Sequence, residues 1–380
     1  MFEKTKKFCD GMLDMGLPGF DLAVYKDGQP VLRYMGGYAD LENRLPMTGK
    51  ERYFIYSCSK PITCVAAMQL WEKGLFKLDD PLYKYIPEFE KMTVKTPEGL
   101  HPAKEPIRIH HLFEMTAGLS YALESPSLMQ LRQDTQGRCP TVQAIRYLAK
   151  EPLLFEPGTR WHYSLCHDVL GALVEVLSGM PFQQYIKKNI FDPLGMTEST
   201  YLIDDSELEG LAKQYTYDSA TNTVLLQGPV NRYRLGSQYA SGGAGCVSTV
   251  DDYMKFLEGL RQGILLKRET IDLMRTDRMT DAQTEEYWLK RLYGYGLGVR
   301  CQKEGGACND FGWDGAAAAY LSLDLERNVS IFLGTHLLAS PTQTVREMLH
   351  RLICCELNGD YDFEELREEL QSVYKFHYFG

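Results

Sequence analysis

Apolar side chains recur at three- and four-residue spacing through most of this chain, and strand-like runs are confined to its two ends. The helical spacing predicts helices over residues 2–15, 57–73, 109–115, 141–150, 166–178, 182–190, 250–262, 268–276 and 343–355. Strands are predicted over 20–25, 30–34, 296–301, 316–323 and 329–334, with a tight hairpin at Asp27-Gly28. Residues 36–50 and 75–100 are predicted to be loops, the second with a short helix.

Strands at both ends with helices between them indicate one sheet that is assembled from the two ends of the chain. We therefore expect an α/β (α+β) protein with an antiparallel sheet flanked by helices and an inserted, mostly helical subdomain. Residues 1–358 form one predicted domain, with its α/β part in 1–75 and 285–358 and its helical part in 76–284. Residues 359–380 are predicted to be an acidic tail, either a solvated helix or a loose segment.

The composition is that of an ordinary globular protein, with 44% hydrophobic and 24% charged residues. The formal net charge of −10, without any basic block, disfavours nucleic acid and anionic membranes as partners. No apolar run is long enough to span a membrane, and the N-terminus does not resemble a signal peptide. We therefore expect a cytoplasmic protein with reduced cysteines.

The ten cysteines and eight histidines form neither a C-x-x-C nor an H-E-x-x-H pattern. These are the spacings of common zinc sites, so we expect no metal and no cofactor. Cysteines near the motifs described next, such as Cys58 and Cys246, are expected to be small buried side chains. The oligomeric state is left open by the sequence.

Ser57 and Lys60 stand at the start of an apolar predicted helix. Pro61 is tolerated only in a first turn, so the helix should begin at about Ser57, whose side chain can cap it. One helical turn separates Ser57 from Lys60, so the amine can reach the hydroxyl, as it does in S-x-x-K serine hydrolases. A helix cap followed by a solvated lysine explains the same residues equally well. A second match, Ser372-Val373-Tyr374-Lys375, lies in the acidic tail and is not expected to be catalytic.

Two further motifs can complete such a site. Tyr163 lies just before a predicted helix, and its phenol can relay the serine proton if it faces Ser57, although a tyrosine packed in a loop is the simpler explanation. Trp313-Asp314-Gly315-Ala316 opens a predicted strand, where small residues allow a substrate to lie along the strand edge. The backbone N–H groups of Ser57 and Ala316 can then form an oxyanion hole, but an ordinary turn explains this segment too.

Together, Ser57-x-x-Lys60-Pro61, Tyr163-Ser164 and Trp313-x-Gly315 resemble the three active-site motifs of the class C β-lactamase-like serine hydrolase superfamily. Further segments resemble that family in the same order: Leu78-Asp79-Asp80-Pro81-Leu82, Ile109-His110-His111-Leu112, Phe155-Glu156-Pro157-Gly158, Asp192-Pro193-Leu194-Gly195-Met196 and Ser241-Gly242-Gly243-Ala244-Gly245. The resemblance implies a β-lactamase/D,D-peptidase-like fold, related to penicillin-binding proteins. It also implies that Ser57, Lys60 and Tyr163 are catalytic and that the amides of Ser57 and Ala316 bind the oxyanion.

The chain departs from the penicillin-recognising pattern at two places. Leu165 stands where that pattern has asparagine, and Trp313-Asp314-Gly315 replaces K-T-G or H-T-G. Both changes resemble the carboxylesterase branch, and they imply that Trp313, Asp314, Gly315 and Leu165 contact the substrate. Asp314 is expected to be an outward turn residue. If it pointed inward instead, its carboxylate would repel an anionic substrate. We therefore expect weak or no β-lactamase activity.

A different hydrolase fold is the competing interpretation. The G-x-S-x-G elbow of α/β-hydrolases is approached by Gly118-Leu119-Ser120-Tyr121-Ala122, but the last glycine is missing and a helix precedes it. Gly294-x-Gly296-x-Gly298 likewise lacks the full dinucleotide-binding spacing.

These observations predict a serine hydrolase that forms an acyl-enzyme on Ser57, closest to a carboxylesterase acting on small-molecule esters or amides. An acyltransferase of the same fold, with residues 119–140 or 225–240 around its acceptor, and a β-lactamase- or D,D-peptidase-like amidase are the alternatives. A non-catalytic binding protein is disfavoured by the intact Ser57, Lys60 and Tyr163. A preference for β-lactams would require another cation, such as Arg232 or Arg234, in place of the missing lysine.

Overall fold

The computed structural model describes residues 1–203 and 205–379. Its strands are β1 Gly19–Lys26, β2 Gln29–Asp40, β3 Leu45–Pro46, β4 Tyr53–Phe54, β5 Thr93–Thr96, β6 Gly99–Pro102, β7 Gln214–Asp218, β8 Thr223–Gln227, β9 Val247–Ser248, β10 Gly294–Tyr295, β11 Arg300–Cys301, β12 Tyr320–Asp324, β13 Val329–Thr335 and β14 Leu337–Leu338. Its α-helices are α1 Glu3–Asp14, α2 Ser59–Glu72, α3 Ile109–Phe113, α4 Pro126–Asp134, α5 Thr141–Leu148, α6 Cys166–Ser178, α7 Phe182–Ile186, α8 Asp192–Leu194, α9 Val250–Arg261, α10 Arg268–Met274, α11 Asp281–Glu286, α12 Leu349–Asn358 and α13 Phe363–Ser372.

A five-stranded antiparallel sheet, in the order β12-β13-β1-β2-β3, joins the two ends of the chain. β1 pairs with β13 from Phe20 opposite Thr335 to Lys26 opposite Val329. Every residue of β13 is buried, because α1 and α12 cover one face of the sheet and α9 covers the other. The predicted fold class and the predicted origin of the sheet are confirmed.

The hairpin predicted at Asp27-Gly28 is confirmed, and both residues have positive φ angles of 52° and 79°, as a type I′ turn requires. The loop predicted from residue 36 is wrong, because β2 continues to Asp40. A Cβ on Gly36 would lie 2.7 Å from the Phe20 ring. Glycine at this position therefore lets β2 pass close to an aromatic ring, and the strand continues beyond it.

The helices predicted in the middle of the chain are confirmed, with ends that differ by a few residues. α2 is at the centre of the molecule, and every residue from Ser59 to Met68 is buried. It packs against α6 and α7, so it is apolar on more than the single face that the sequence spacing indicated. A π-helical turn, Lys187–Phe191, extends α7 to the end predicted for it.

Several late and exposed elements differ from the prediction. The strand predicted over 316–323 begins only at Tyr320, because the Gly315 N–H donates to the Ala319 carbonyl (2.8 Å) and closes a turn. Residues 296–301 are mostly the turn between the short strands β10 and β11. The predicted closing helix begins as a 3₁₀ turn at Val345–Met348 and continues as α12. Two hairpins, β5–β6 and β7–β8, and the helices α4 and α11 were not predicted.

The C-terminal segment forms α13, which is capped by Asp362, and one side of this helix is packed against the rest of the protein. Leu366 and Leu370 are buried, and the Phe376 ring contacts the Phe8 ring of α1 at 5.1 Å between centroids. The alternative of a loose tail is therefore wrong. The division of the chain into two subdomains and a tail stays a prediction. Throughout the described residues, the helices are too short or too polar to cross a lipid bilayer.

Leu370→Ala should lower the free energy of unfolding by about 2–5 kcal/mol, because the substitution leaves a cavity under α13. Urea-induced unfolding followed by circular dichroism measures this change. Glu368→Ala, at an exposed position of the same helix, is the control and should change stability by less than about 0.5 kcal/mol. Equal stability of the Leu370→Ala variant and the native protein would show that α13 is not part of the cooperative fold.

Candidate active site

Ser57 lies between β4 and α2, in the 3₁₀ turn Tyr56–Cys58 that leads into the helix. The sequence had suggested that the Ser57 hydroxyl caps α2. This prediction is wrong, because no side chain caps this helix. The preceding residue, Tyr56, is buried and has a positive φ of 47°, a strained conformation for a side chain of that size. This turn directs the Ser57 side chain away from the helix and into a cavity.

The Ser57 hydroxyl accepts two hydrogen bonds, one from a tyrosine far away in the sequence and one from a lysine one helical turn away. Tyr163 Oη donates to Ser57 Oγ at 2.7 Å, and Lys60 Nζ donates to the same oxygen at 3.2 Å. Lys60 also donates to the Gly243 carbonyl at 2.7 Å, and its side chain is completely buried. The three residues predicted to be catalytic are therefore brought together around one oxygen atom.

Aromatic rings fix the position of Tyr163. Its ring lies between those of Tyr121 and Trp313, with centroid distances of 5.5 Å and 5.8 Å and interplanar angles of 16° and 23°. Trp313 Nε1 donates to Tyr163 Oη at 3.2 Å. Lys60 Nζ lies 4.6 Å from the centre of the Tyr163 ring, within the range of a cation–π contact. The phenol oxygen is thus held between an indole donor and the serine.

The loop that begins at Ser241 supports Lys60 from the other side. Asp168 Oδ1 accepts hydrogen bonds from Tyr239 Oη (2.7 Å) and Ser241 Oγ (2.6 Å), which fixes the loop carrying the Gly243 carbonyl. A Cβ on Gly243 would lie 2.5 Å from Asp168 Oδ2 and 3.3 Å from Lys60 Nζ, so only glycine fits there. The sequence analysis had found this glycine-rich segment but did not identify Asp168, whose role depends on residues far along the chain.

Behind Lys60 lies the buried imidazole of His167. Burial, and then the proximity of Lys60, lowers the pKa of His167 well below its ordinary value. The ring contacts Cys64 Sγ at 3.5 Å and the Phe113 carbonyl at 3.4 Å. His167 is therefore a neutral packing residue of the site.

A cavity of about 380 Å³ opens above the Ser57 hydroxyl. It is lined by Ser57, Tyr121, Tyr163, Tyr233, Trp288, Leu289, Trp313, Asp314, Gly315, Ala316, Gln343 and Arg346. Its walls are largely aromatic. Asp314, Gln343 and Arg346 supply its polar side chains, next to the backbone of Gly315 and Ala316. Leu165, which was expected to contact the substrate, is 2% exposed and packs in the hydrophobic core just before α6, so that expectation is wrong.

The backbone amides of Ser57 and Ala316 both belong to residues that line this cavity. Neither amide donates to an acceptor in the part of the chain that the structure describes. The Ala316 segment is held from behind, because Gln343 Nε2 donates to the Ala316 carbonyl at 3.2 Å. Two N–H groups fixed in this way are suited to binding a negatively charged oxygen.

Asp314 points inward, so the expectation of an outward turn residue is wrong. Its carboxylate pairs with Arg300 at 3.0 Å and with Arg346 at 3.5 Å. Arg346 also donates to the Gly315 carbonyl at 3.1 Å, which holds its guanidinium against the turn that precedes β12. The charge of Asp314 is therefore balanced inside the protein.

Arg346 is the cation that the sequence analysis missed. The two candidates proposed there face other groups: Arg232 donates to Thr216 and Gln227, and Arg234 donates to the carbonyls of Gly236 and Ser237. Arg346 lines the cavity but comes from the segment before α12, where no motif marks it.

A buried network of charges continues from Asp314 into the core. Arg300 also pairs with Asp310 (3.2 Å), and His350 lies between Asp310 (3.4 Å) and Asp324 (3.0 Å). Burial alone would lower the pKa of His350, but Asp310, then Cys354 and the hydrogen bond to Asp324, raise it well above its ordinary value. Asp324, His350 and Cys354 are close enough to share a metal ion, yet the nearby Arg327 pairs with Asp324 at 3.0 Å, which makes this an ion-pair network.

The fold and this arrangement of side chains, with serine, lysine and tyrosine meeting in one cavity, are those of a β-lactamase-like serine hydrolase. The β-lactamase family model matches residues 5–353, and the chain belongs to this family. The predicted family and the predicted class of enzyme, a serine hydrolase, are thereby confirmed.

Three proteins are similar to this chain, one in sequence and two in fold. Esterase EstB of Burkholderia gladioli is 30% identical over 295 residues, which cover 71% of this chain and 73% of EstB. The structure of EstCE1, a hydrolase with promiscuous acyltransferase activity, is 24% identical with a TM-score of 0.71 and covers 92% of this chain and 98% of its own. Unliganded simvastatin synthase (LovD) of Aspergillus terreus is 24% identical with a TM-score of 0.75 and covers 93% of this chain and 97% of its own.

The His350 network makes stability depend on pH in a defined direction. Because the pKa of His350 is raised on folding, its pairing stabilises the fold fully below about pH 6.5, the pKa in the unfolded chain, and less as the pH rises toward the folded-state pKa. His350→Gln should therefore lower the free energy of unfolding by about 3–5 kcal/mol near pH 6 and by less near pH 9. Urea unfolding at both pH values measures the difference. His101→Gln, at an exposed position, is the control, and a loss that grows with pH would contradict the assignment.

Proposed function

We propose that the protein is a serine carboxylesterase that forms an acyl-enzyme on Ser57. The observation that carries this proposal is the convergence of Lys60 Nζ and Tyr163 Oη on the Ser57 oxygen at the base of an open cavity. A serine hydroxyl is a weak nucleophile unless an adjacent group accepts its proton. Both neighbours required for that transfer are already within hydrogen-bond distance.

In the proposed mechanism, Ser57 Oγ bonds to the ester carbonyl carbon while its proton passes to the Lys60–Tyr163 pair. The pair then returns a proton to the leaving alcohol oxygen as the ester bond breaks, and Tyr163 activates the water that releases the acid. General acid–base transfer of this kind contributes about 10²–10⁴ in rate. The burial of Lys60 supports this role, because a buried amine has few competing partners.

The amides of Ser57 and Ala316 are proposed to bind the oxyanion of the tetrahedral intermediate. Each such donor contributes on the order of 10²–10³ in rate when it is fixed before the reaction. Gln343 and Arg346 support this role, since their hydrogen bonds to the Ala316 and Gly315 carbonyls hold the segment in place.

The cavity supports neutral esters as substrates. Tyr121, Tyr233, Trp288 and Trp313 present apolar rings. The charge of Arg346 is paired with Asp314, so the cavity offers no unpaired side-chain cation, within the described residues, for a substrate carboxylate. Trp313 also stands where penicillin-recognising relatives have a cation, and an indole offers only one N–H donor.

Acyl transfer to an alcohol is the second candidate function. It is favoured by the similarity to EstCE1 and LovD, whose names include acyltransferase or synthase activity, and by a cavity that is lined with aromatic rings. The two functions share every step up to the acyl-enzyme. The ratio of ester to acid products in the presence of an added alcohol distinguishes them.

The proposed location is the cytoplasm. All ten cysteines are free thiols in the structure, and reducing compartments keep thiols in this form.

Ser57→Ala should abolish labelling by a fluorophosphonate probe and reduce kcat by on the order of 10⁴ or more, because no other group can take the acyl chain. Mass spectrometry of the labelled protein and p-nitrophenyl butyrate hydrolysis measure the two effects. Ser372→Ala, in the second S-x-x-K match, is the control and should behave like the native protein. An adduct on a residue other than Ser57, or full activity of Ser57→Ala, would disprove the mechanism.

The kcat/KM for p-nitrophenyl butyrate should be roughly 10- to 100-fold higher than the kcat/KM for a chromogenic cephalosporin. Each missing polar contact to a β-lactam carboxylate or amide costs roughly 1–3 kcal/mol. Both substrates are measured on one enzyme preparation, with the Ser57→Ala variant as the background. A preference for the cephalosporin would mean that Arg346 leaves Asp314 and binds the carboxylate.

A further inference from the structure

Trp288 stands out among the rings of the active site because it is 56% exposed, whereas Trp313 and Trp161 are 3% and 2% exposed. It lies at the mouth of the cavity above Ser57. An indole that keeps half of its surface in water forgoes the stabilisation that burial would give. Pockets for small molecules are lined mainly by apolar and aromatic side chains, and Trp288 extends this lining to the exposed edge of the cavity.

The segment that carries Trp288 is firmly anchored. The neighbouring Tyr287 is fully buried and its ring contacts the Trp161 ring at 5.0 Å. Gln283 Nε2 donates to the Gly158 carbonyl at 2.8 Å, and Glu286 pairs with Arg160 at 2.6 Å. The exposed indole is therefore held in place before a ligand arrives, which reduces the entropy lost on binding.

The contacts of Trp288 place it on one particular side of the nucleophile. Its ring packs against Tyr163 at 5.2 Å and 70° and against Trp313 at 6.1 Å and 49°. Trp313 is the residue that donates to the Tyr163 hydroxyl. In the mechanism proposed above, the Lys60–Tyr163 pair returns a proton to the alcohol oxygen of the ester. The Tyr163 hydroxyl of this pair faces Trp313, so the group attached to that oxygen leaves next to Trp313 and Trp288.

Tyr233 lines the cavity in a different neighbourhood. Its ring contacts Tyr121 at 5.5 Å and Tyr56 at 5.7 Å, and Tyr56 is the residue just before the nucleophile. Because Trp288 and Trp313 lie on the side of the leaving alcohol, the wall that contains Tyr233 is assigned to the acyl part of the substrate. The cavity thus has one aromatic wall for each half of an ester.

We propose that Trp288, together with Trp313, binds the alcohol half of the substrate and makes the protein selective for esters of aromatic or bulky apolar alcohols. The inference rests on the proposed function. The same surface holds an acceptor alcohol in acyl transfer. There, the acceptor oxygen bonds to the carbonyl carbon of the acyl-enzyme, its proton passes to the Lys60–Tyr163 pair, and the C–O bond to Ser57 breaks as Oγ regains a proton.

The test compares two selectivity ratios in the native protein and in Trp288→Ala. The first is kcat/KM for 1-naphthyl acetate over ethyl acetate, in which only the alcohol changes. The second is kcat/KM for 1-naphthyl butyrate over 1-naphthyl acetate, in which only the acyl group changes. Loss of one aromatic contact should lower the first ratio by roughly 3- to 10-fold and leave the second within about 2-fold.

Two further variants complete the design. Trp288→Phe keeps a ring and should retain most of the first ratio. Tyr83→Ala removes a 36% exposed ring that does not line the cavity and should change neither ratio. An unchanged first ratio in Trp288→Ala, or a fall in the second ratio alone, would overturn the proposal. An equal loss on all esters would also overturn it, because Trp288 would then only support the structure of the site.

Binding of 1-naphthol tests the alcohol surface without turnover. Calorimetry on the Ser57→Ala variant should show binding that is weakened roughly 3- to 10-fold when Trp288→Ala is added. Equal affinity in both proteins would overturn the proposal. If naphthol binding depends on Trp288 but the native protein, with Ser57 intact, cleaves none of the esters, the alcohol surface is supported and the proposed function is refuted, so the two failures are distinguishable.

Discussion

The complete burial of Lys60 is the constraint on which the rest of the site depends. An amine taken out of water must find its hydrogen-bond partners inside the protein. Without them, its burial lowers the free energy of unfolding by roughly several kcal/mol. Here the partners are the Gly243 carbonyl and the Ser57 oxygen, with the Tyr163 ring alongside. Two distant parts of the chain, at Gly243 and Tyr163, must therefore converge on the first turn of α2 before the burial of Lys60 is favourable.

This requirement explains why the surrounding residues are so restricted. Asp168 fixes the loop of Gly243 through two hydroxyl groups, and the absence of a side chain on Gly243 lets the carboxylate and the amine approach from either side. Tyr163 is likewise held between two flat rings, so its hydroxyl has little freedom to turn away from the serine. Structural stability and catalytic geometry are thus supplied by the same contacts.

The sequence predicted the central parts of the site because their spacing is local or belongs to a known motif. Ser57 and Lys60 are one helical turn apart, and Tyr163 and Trp313 lie in short recognisable segments. Arg346 and Trp288 could not be found in this way, because their position in the cavity depends on how distant segments pack. The same reason explains the error at Ala316: residues 316–323 are an apolar run that predicts one strand, but the hydrogen bond from Gly315 to Ala319 closes a turn first.

The pairing of β1 with β13 has a consequence for how the protein is made. Lys26 of β1 lies opposite Val329 of β13, about 300 positions later in the chain. At ribosomal rates of about 5–20 residues per second, β1 waits on the order of 15–60 seconds for its partner. During that interval β1 and β2 exist as an isolated hairpin, which is only marginally stable in water and has an open edge. The nascent chain is therefore most exposed to misassembly and to chaperones just before the last strands leave the ribosome.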